Sequence, residues 1–487
     1  MDGQQFLSLC HACDNLLLQA DSPPETIAVA WLHIIRDHPV FLAKYSSLYE
    51  PETSFRSVVR EKTLNLRYAA GNLRRCIRGL SSAGILWHTT EPYPTFTDVL
   101  FVSHLLNPSQ IGQDQDFYFG SVPADLANNG VSTTIALINH TSNLPRQLAT
   151  LYSSPAAPRL ILSNSLSIAQ EIGFSRRAAR EQQKLRELVV KLPNGLLRSV
   201  AARAAIEAMS SATAANLRIH HQISSLVRTL QPKALLVTYE GHAYERIAFH
   251  AARSAIPNII CIGYQHAAIF QLQHAIRRLL APKFNPDHIL TAGMVAQRQL
   301  RNSETLAGIP ISILGSPRST QTTTHSSNQP SSLAYENNTH RPACVVVPEG
   351  IESECNTLFA FALECALALP QIDFIWRLHP IISFKTLLKR NRRLTRRPTN
   401  VELSDKTLEE DIARCRWALY RGTTAVVQAV MGGLSPIYLQ IPGEMTIDPL
   451  YEIDQGKFVV KTPAEFVTVV GTSGETSDNT QIGRAHV

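Results

Sequence analysis

The chain of 487 residues is too long for one compact core, so its length indicates two or three domains. Hydrophobic residues make up 44% of the chain and charged residues 17%, a composition that excludes global disorder. No apolar run reaches the roughly 18 residues that cross a bilayer, and the N-terminus lacks the basic and apolar segments of a signal peptide. We therefore expect a cytoplasmic protein.

The net charge of +7 is spread along the chain, apart from a basic run at Lys385–Pro398. This run indicates a solvated helix face more than contact with anionic lipid or nucleic acid, and the absence of interleaved aromatic residues further disfavours nucleic acid. The eight cysteines are scattered, and the close pair Cys10 and Cys13 has no second pair that would complete a zinc site. We expect free thiols and no metal centre.

The first 95 residues carry apolar side chains at helical spacing, as in "ETIAVAWLHIIRDHPVFLAKY", which predicts a helical N-terminal region over 1–95. Short β-rich runs then alternate with helical ones over 96–316, a pattern typical of a parallel sheet covered by helices. Residues 317–341 are too polar to bury and indicate a linker. Six further short strands alternate with helices over 342–481. The sequence therefore predicts an α/β protein with two doubly wound, Rossmann-type domains and a cleft between them.

The last six residues, "IGRAHV" (482–487), resemble the translation of a common sequencing-adapter read-through. On this interpretation the native gene continues past about residue 481 and supplies further helices.

The segment "LYRGTTAVVQAVMGGLSPIYL" places a strand end at Gly422 and a helix start at Thr423 and Thr424. A helix N-terminus has unpaired amides and the positive end of the helix dipole, so two hydroxyls beside it favour a phosphate site. A plain threonine N-cap explains the same pattern, and the two interpretations stay open at this point.

Two more strands of the second domain end in polar residues. "VVVPEGIESE" places Glu349 and Gly350 after a strand, and "FIWRLHPIIS" places Arg377 and His379 before Pro380, which cannot continue a sheet ladder. The carboxyl ends of parallel strands share one sheet edge, where ligands bind in open α/β sheets. We expect these residues to line the cleft, although a packing or salt-bridge role for Arg377 remains an alternative.

In the first domain, "LLVTYEGHAYERIAFHAAR" places Glu240 at a strand end and Glu245 in the first turn of the next helix. Glu240 is the candidate general base, with a pKa that we expect desolvation to raise. Glu245 is a candidate to line the cleft, although its position is also typical of a residue that stabilises a helix dipole. "GYQHAAI" places Gln265 and His266 at another strand end, where we expect them to contact a substrate or line the cleft, unless His266 is purely structural.

The strand ending in "HP", the later "GTT" and the upstream "YEGHAYE…GYQH" resemble bacterial GT-B glycosyltransferases of surface polysaccharide biosynthesis, over roughly residues 96–470. The nearest are Kdo and polysialic acid transferases, which use CMP-activated acidic sugars, followed by poly(glycerol phosphate) transferases. The resemblance implies an acceptor domain over 96–316 and a donor domain over 342–481. It also implies donor-phosphate contacts from His379, Thr423 and Thr424, and a base at Glu240.

Gln428 stands where many GT-B donor domains carry a ribose-binding glutamate, and this favours a CMP-sugar over a UDP- or GDP-sugar. Since no DxD-type motif is apparent, we expect metal-independent transfer and no cofactor other than the donor substrate. The expected partners are a nucleotide-sugar and a capsule, lipopolysaccharide or lipid-linked acceptor, without nucleic acid. Peripheral contact with the inner membrane is left open. The alternatives are a GT-B-shaped nucleotide-sugar epimerase, a poly(glycerol phosphate)-type transferase and an inactive assembly partner.

Overall fold

The computed structural model describes residues 1–49, 55–80, 84–89, 94–141, 143–150, 157–316, 341–379 and 381–472. For residues 55–58 and 60 it describes the backbone alone. Pro380, nearly all of the predicted linker and the "IGRAHV" segment therefore lie outside the described residues.

The N-terminal region is helical but not continuous. Its helices are α1 (Gly3–Leu17), α2 (Pro24–Ile27), α3 (Pro39–Leu42) and α4 (Phe55–Leu80). Helix α1 begins with a capping box, in which the Asp2 side chain accepts from the Gln5 amide. Between α2 and α3 the chain forms a 3-10 turn at Ala30–Leu32 and then an extended stretch over residues 33–38.

The first sheet has eight strands in the order β1-β4-β3-β2-β5-β6-β7-β8. Every adjacent pair is parallel except β1 with β4. The strands are β1 (Trp87–His88), β2 (Val99–Leu105), β3 (Thr133–Asn139), β4 (Arg159–Leu162), β5 (Ala234–Thr238), β6 (Ile260–Gln265), β7 (His288–Thr291) and β8 (Ile311–Ile313). Strands such as β3 are apolar on both faces because helices cover both sides of the sheet.

The helices of this domain connect and cover the strands. They are α5 (Val122–Asn128), α6 (Pro145–Ala149), α7 (Ile168–Lys191), α8 (Leu196–Glu207), α9 (Ser211–Leu230), α10 (Ala243–Ala255) and α11 (Met294–Arg301). The N-terminal region shares a buried core with α7 and α8, in which Phe6, Leu9 and Trp31 join Phe174 and Val200. It therefore packs as a layer of the first domain.

The second sheet has six parallel strands in the order β11-β10-β9-β12-β13-β14. They are β9 (Ala343–Val347), β10 (Asp373–Trp376), β11 (Val401–Leu403), β12 (Trp417–Tyr420), β13 (Ser435–Leu439) and β14 (Phe458–Val460). The helices are α12 (Glu352–Ala368), α13 (Phe384–Arg390), α14 (Leu408–Ile412), α15 (Ala425–Met431) and α16 (Pro463–Thr472).

The predicted fold class is confirmed by these two parallel-rich sheets with helices between successive strands. Strand order reverses beside β2 in the first sheet and beside β9 in the second, the places where open α/β sheets form a ligand crevice. Among the helices in the described part of the chain, none combines the length and apolar character needed to cross a bilayer.

Candidate functional site

An extended N-terminal segment, residues 33–38, joins the carboxyl edges of the two sheets. The Arg36 guanidinium lies 3.3 Å from Glu240 Oε1, just beyond β5 of the first domain. Two residues later, His38 Nε2 donates to Glu349 Oε1 over 2.8 Å, just beyond β9 of the second domain. Asp37 between them accepts a hydrogen bond from the Leu272 amide. The candidate site is the space that these contacts hold between the two sheets.

Sequence reasoning missed this segment because its apolar residues recur at helical spacing, which placed it within the helical N-terminal region. A local signal was present, since the position before a proline is biased away from the helical conformation. His38 precedes Pro39 and is extended, with ψ of 129°. The charged "RDH" within an otherwise apolar run was a second signal.

Glu240 is buried and ionised in this site. Burial alone raises the pKa of Glu240, but the Arg36 charge and a hydrogen bond with His242 outweigh it and hold this pKa well below the usual carboxyl value. The sequence-based expectation of a raised pKa at Glu240 is therefore wrong, because it could not include Arg36. The chain reverses at Gly241, where φ is +91° and a side chain would collide with the Ala275 carbonyl.

His242 is the more basic partner of Glu240. Its Nε2 lies 3.4 Å from Glu240 Oε2, and its side chain is 37% exposed against 9% for Glu240. Burial lowers the pKa of His242, but the hydrogen bond to Glu240 and the nearby Glu245 charge more than offset burial and raise this pKa above the usual histidine value. An imidazole that faces the cleft and is held by a buried carboxylate can take up a proton from a bound hydroxyl.

Glu245 builds the turn that presents these two groups. Its carboxyl accepts from the backbone amides of Glu240, Gly241 and His242 at 2.7–3.0 Å, and with His242 it forms the capping box of α10. Burial raises the pKa of Glu245 to about 7, although the His242 charge lowers it in part. The helix-start role that the sequence allowed for Glu245 is therefore present in the structure.

A hydrogen-bonded cluster behind Glu245 was not predicted. The Tyr244 hydroxyl donates to Glu245 Oε1 and lies 2.9 Å from His104 Nε2, and His104 Nδ1 lies 2.9 Å from His140 Nε2. Burial lowers the pKa of His104 well below its usual value, so this imidazole is neutral. Both histidines end neighbouring strands, β2 and β3, and the strand-end argument used for Glu240 would have found them.

Gln265 and His266 lie at the end of β6, beside this cluster. The Gln265 side chain is buried and donates to the Ala267 carbonyl, while its Oε1 makes no hydrogen bond to the part of the chain that the structure describes. The His266 ring meets the Tyr118 ring edge-on, with centroids 4.6 Å apart. Since β6 pairs with β5, which ends before Glu240, the structure brings both predicted residues to the same sheet edge as Glu240.

In the second domain, Glu349, Gly350, His379 and Gly422 lie together. A side chain on Gly350 would come within 2.9 Å of the His379 ring, so this imidazole packs directly on the glycine backbone. Gly422 has φ of +66°, and a side chain there would lie 2.5 Å from Glu349 Oε1. Burial lowers the pKa of His379 and the Glu349 charge offsets this in part, so this half-buried imidazole is neutral.

Thr423 and Thr424 open α15 as predicted, but they differ in environment. Thr423 is buried and its Oγ1 accepts from the Ala425 amide over 3.3 Å, whereas Thr424 is exposed and makes no side-chain cap bond. Gln428 follows on the same short helix and is half-buried. The exposed Thr424 hydroxyl is thus available to a ligand above the helix start.

Arg377 is engaged away from the phosphate candidates. Its guanidinium donates to the carbonyls of Lys406 and Thr407 and forms an ion pair with Asp411, whose side chain is fully buried. This geometry matches the salt-bridge alternative for Arg377 and fastens the loop after β10 to the start of α14.

One group of side chains in the described residues has the spacing of a cation site: ligand atoms of His38, Glu349 and Glu354 lie within 4.8 Å of one another. Glu354 is also paired with the buried Arg421 at 2.7 Å, and Arg421 pairs further with Glu444. A guanidinium beside these carboxylates already supplies the positive charge that a cation would bring.

No protein-family model matches this chain, and no curated protein matches it in sequence. Similar solved structures include UDP-GlcNAc 2-epimerase from Neisseria meningitidis bound to UDP-GlcNAc, with 12% identity over 80% of this chain and 94% of that one (TM-score 0.44). Acinetobacter baumannii MurG has 10% identity over 80% of this chain and 94% of that one (TM-score 0.44). A glycotransferase of kitacinnamycin has 11% identity over 81% of this chain and 96% of that one (TM-score 0.44). Likeness at this level assigns no activity, so the function is argued from the site.

Proposed function

We propose that the protein is a glycosyltransferase that moves a sugar from a nucleotide-sugar to a surface-glycan or lipid-linked acceptor. The observation that carries this proposal is the arrangement across the cleft. A carboxylate–imidazole pair, Glu240 with His242, lies on one sheet edge, and a neutral His379 with an exposed threonine hydroxyl lies on the other. The segment that carries Arg36 and His38 holds the two edges together.

The proposed reaction divides the chemistry between the two edges. The acceptor hydroxyl attacks the anomeric carbon, the bond from that carbon to the donor phosphate breaks, and the hydroxyl proton passes to His242. Glu240 orients the imidazole and stabilises the charged form that results. We assign proton transfer to this pair, because an ionised carboxyl with a strongly lowered pKa is by itself a weak proton acceptor.

The donor phosphate would be held by the second domain. His379 and Thr424 can donate hydrogen bonds to it, and Gly350 and Gly422 let the phosphate approach the backbone closely. Hydrogen bonds to a leaving phosphate strengthen as it gains charge, so they lower the barrier. We further propose a CMP-sugar donor, since Gln428 replaces an acidic ribose ligand in the resemblance described above, and metal-independent transfer, since the sequence shows no DxD-type motif.

A turnover assay tests this proposal. It compares CMP-, UDP-, GDP- and CDP-sugars, with and without acceptor and with EDTA present. We expect release of CMP that depends on acceptor and survives EDTA. An isomerised sugar produced without acceptor would instead identify an epimerase, and no turnover of any donor would identify an assembly partner.

Nucleotide binding supplies a separate test of the donor class. A ligand that binds only the folded state raises the melting temperature by mass action, so CMP should give the largest shift among the four nucleotides. A shift with UDP or GDP and none with CMP would contradict the CMP-sugar proposal while leaving the transferase proposal intact.

A further inference from the structure

Helix α4 carries a row of exposed apolar side chains. Val59, Leu66, Leu73, Ile77 and Leu80 are 44%, 72%, 64%, 56% and 68% exposed. Their spacings of seven, seven, four and three residues place them on one narrow face, since each residue turns an α-helix by about 100°. We call these five residues the apolar stripe.

The opposite face of α4 is turned towards the protein and mixes polar with apolar groups, because Leu64 and Cys76 are half-buried there. The Tyr68 hydroxyl donates to Glu207 over 2.8 Å, and Asn65, Asn72 and Arg75 are half-buried. Near the end of the helix, Gly79 lies against the backbone of Ile168 at the start of α7. A helix that only covered a water-soluble core would not also present a row of large apolar side chains to water, so the exposed stripe on α4 requires another explanation.

The charge of α4 identifies what covers the apolar stripe. The helix contains seven basic residues and one acidic residue, a net charge of +6 within 26 residues, whereas the whole chain has a net charge of +7. Arg67, Arg74 and Arg78 are exposed and lie about 80–120° from the stripe, which places them along one flank of it. An apolar face beside a row of arginines is typical of helices that lie in the interface of a membrane with anionic lipids.

We propose that α4 binds the surface of an anionic lipid bilayer, with the apolar stripe in the acyl-chain boundary and the arginine flank on the headgroups. Two other occupants fit the helix less well. A second copy packed on the stripe would bring two strongly basic helices together, and nucleic acid would use the arginines but leave the leucines in water. This surface is separate from the cleft, so the proposal does not depend on the proposed activity.

Vesicle co-sedimentation of the full chain tests this. The vesicles contain either phosphatidylcholine alone or phosphatidylcholine with 30% phosphatidylglycerol. We expect binding to the anionic vesicles that weakens at least tenfold between low and high salt, and little binding to the neutral ones. The double variant Leu66→Gln/Leu73→Gln removes apolar contact without changing charge and should weaken binding at least tenfold.

A matched control changes two exposed apolar side chains elsewhere, as Val190→Gln/Leu367→Gln, which are 82% and 64% exposed on other helices. This control should bind vesicles as the unmodified chain does, and melting temperatures check that both variants fold. The proposal is overturned if the unmodified chain ignores anionic vesicles, or if the stripe variant binds them normally. It is also overturned if the stripe variant only dissolves a dimer seen by light scattering.

Discussion

The Glu240→Gln variant separates the two roles that we give to the Glu240–His242 pair. Glutamine keeps the size and one hydrogen-bond acceptor but removes the negative charge. The Arg36 contact lies between an exposed and a buried ion pair, since the two side chains are 31% and 9% exposed. Exposed pairs contribute about 0–1 kcal/mol and breaking buried ones costs about 3–5 kcal/mol, so we expect a loss of about 1–2 kcal/mol in the free energy of unfolding.

This loss should depend on pH with a definite sign. The folded-state pKa of Glu240 is lowered, so its stabilisation is present above the pKa of an unfolded glutamate, about 4.3, and disappears as the pH falls through the folded-state pKa. The difference in stability between the unmodified chain and Glu240→Gln should therefore be full at pH 7 and shrink in acid. Urea unfolding at several pH values measures it.

The catalytic consequence should be larger than the structural one. Without the carboxylate, the imidazole of His242 loses the interaction that raises its pKa, so the acidic limb of kcat/KM should move to lower pH. We expect turnover to fall about a hundredfold, which corresponds to about 2.7 kcal/mol of barrier. Titration of His242 by NMR gives the same pKa change independently of any activity assay.

The control is Glu25→Gln, which breaks the partly exposed pair of Glu25 with Arg177 outside the cleft. It should lower stability modestly and leave both turnover and the pH profile unchanged. If Glu240→Gln is folded and keeps its kcat/KM, and the His242 titration does not move, the reasoning about this pair fails.

Three other predictions concern the scaffold and the second sheet edge. His379→Ala should lower turnover by about a hundredfold yet cost less than about 1 kcal/mol in stability, because this half-buried ring mainly covers backbone. The control is His288→Ala, at the amino end of β7. A large loss of thermal stability with normal turnover would show that His379 has a structural role. Gly422→Ala should lower the free energy of unfolding by about 1–3 kcal/mol, because φ is +66° and a buried carboxylate oxygen lies 2.5 Å from the new methyl group. Urea unfolding measures this loss, and an unchanged midpoint of the urea transition would contradict the contact. Arg218→Met should lower the free energy of unfolding by about 3–5 kcal/mol at pH 7, because it leaves the buried Glu171 carboxylate without its guanidinium partner. A loss below about 1 kcal/mol would show that the pair is not buried in solution.

Much of the fold could be predicted from local sequence. Short runs such as "TTIALIN" and "ACVVV" are buried on both faces in the structure, because a parallel sheet covered by helices leaves no strand face in water. The strand ends at Glu240, His379 and Gly422 could be read in the same way, since glycine and proline mark where a ladder stops.

The tertiary contacts of those residues could not be predicted from the local sequence. Arg36 and Glu240 are 204 positions apart, and His38 and Glu349 are 311 apart, yet these contacts decide the protonation of the first carboxyl and bring the two sheet edges together. The pKa of a carboxyl group depends on which charges surround it in space, and the spacing of residues in the local sequence does not show which charges those are.

Helix α4 shows the same division within one element. Its sequence determines that leucines and arginines follow a helical period, because side-chain direction along a helix is fixed by 3.6 residues per turn. Only the tertiary structure decides which side of the helix faces the protein. Tyr68 binds Glu207 on the inner face and leaves Leu66 and Leu73 outside, because the rotation of a helix about its own axis is set by the surface against which it packs.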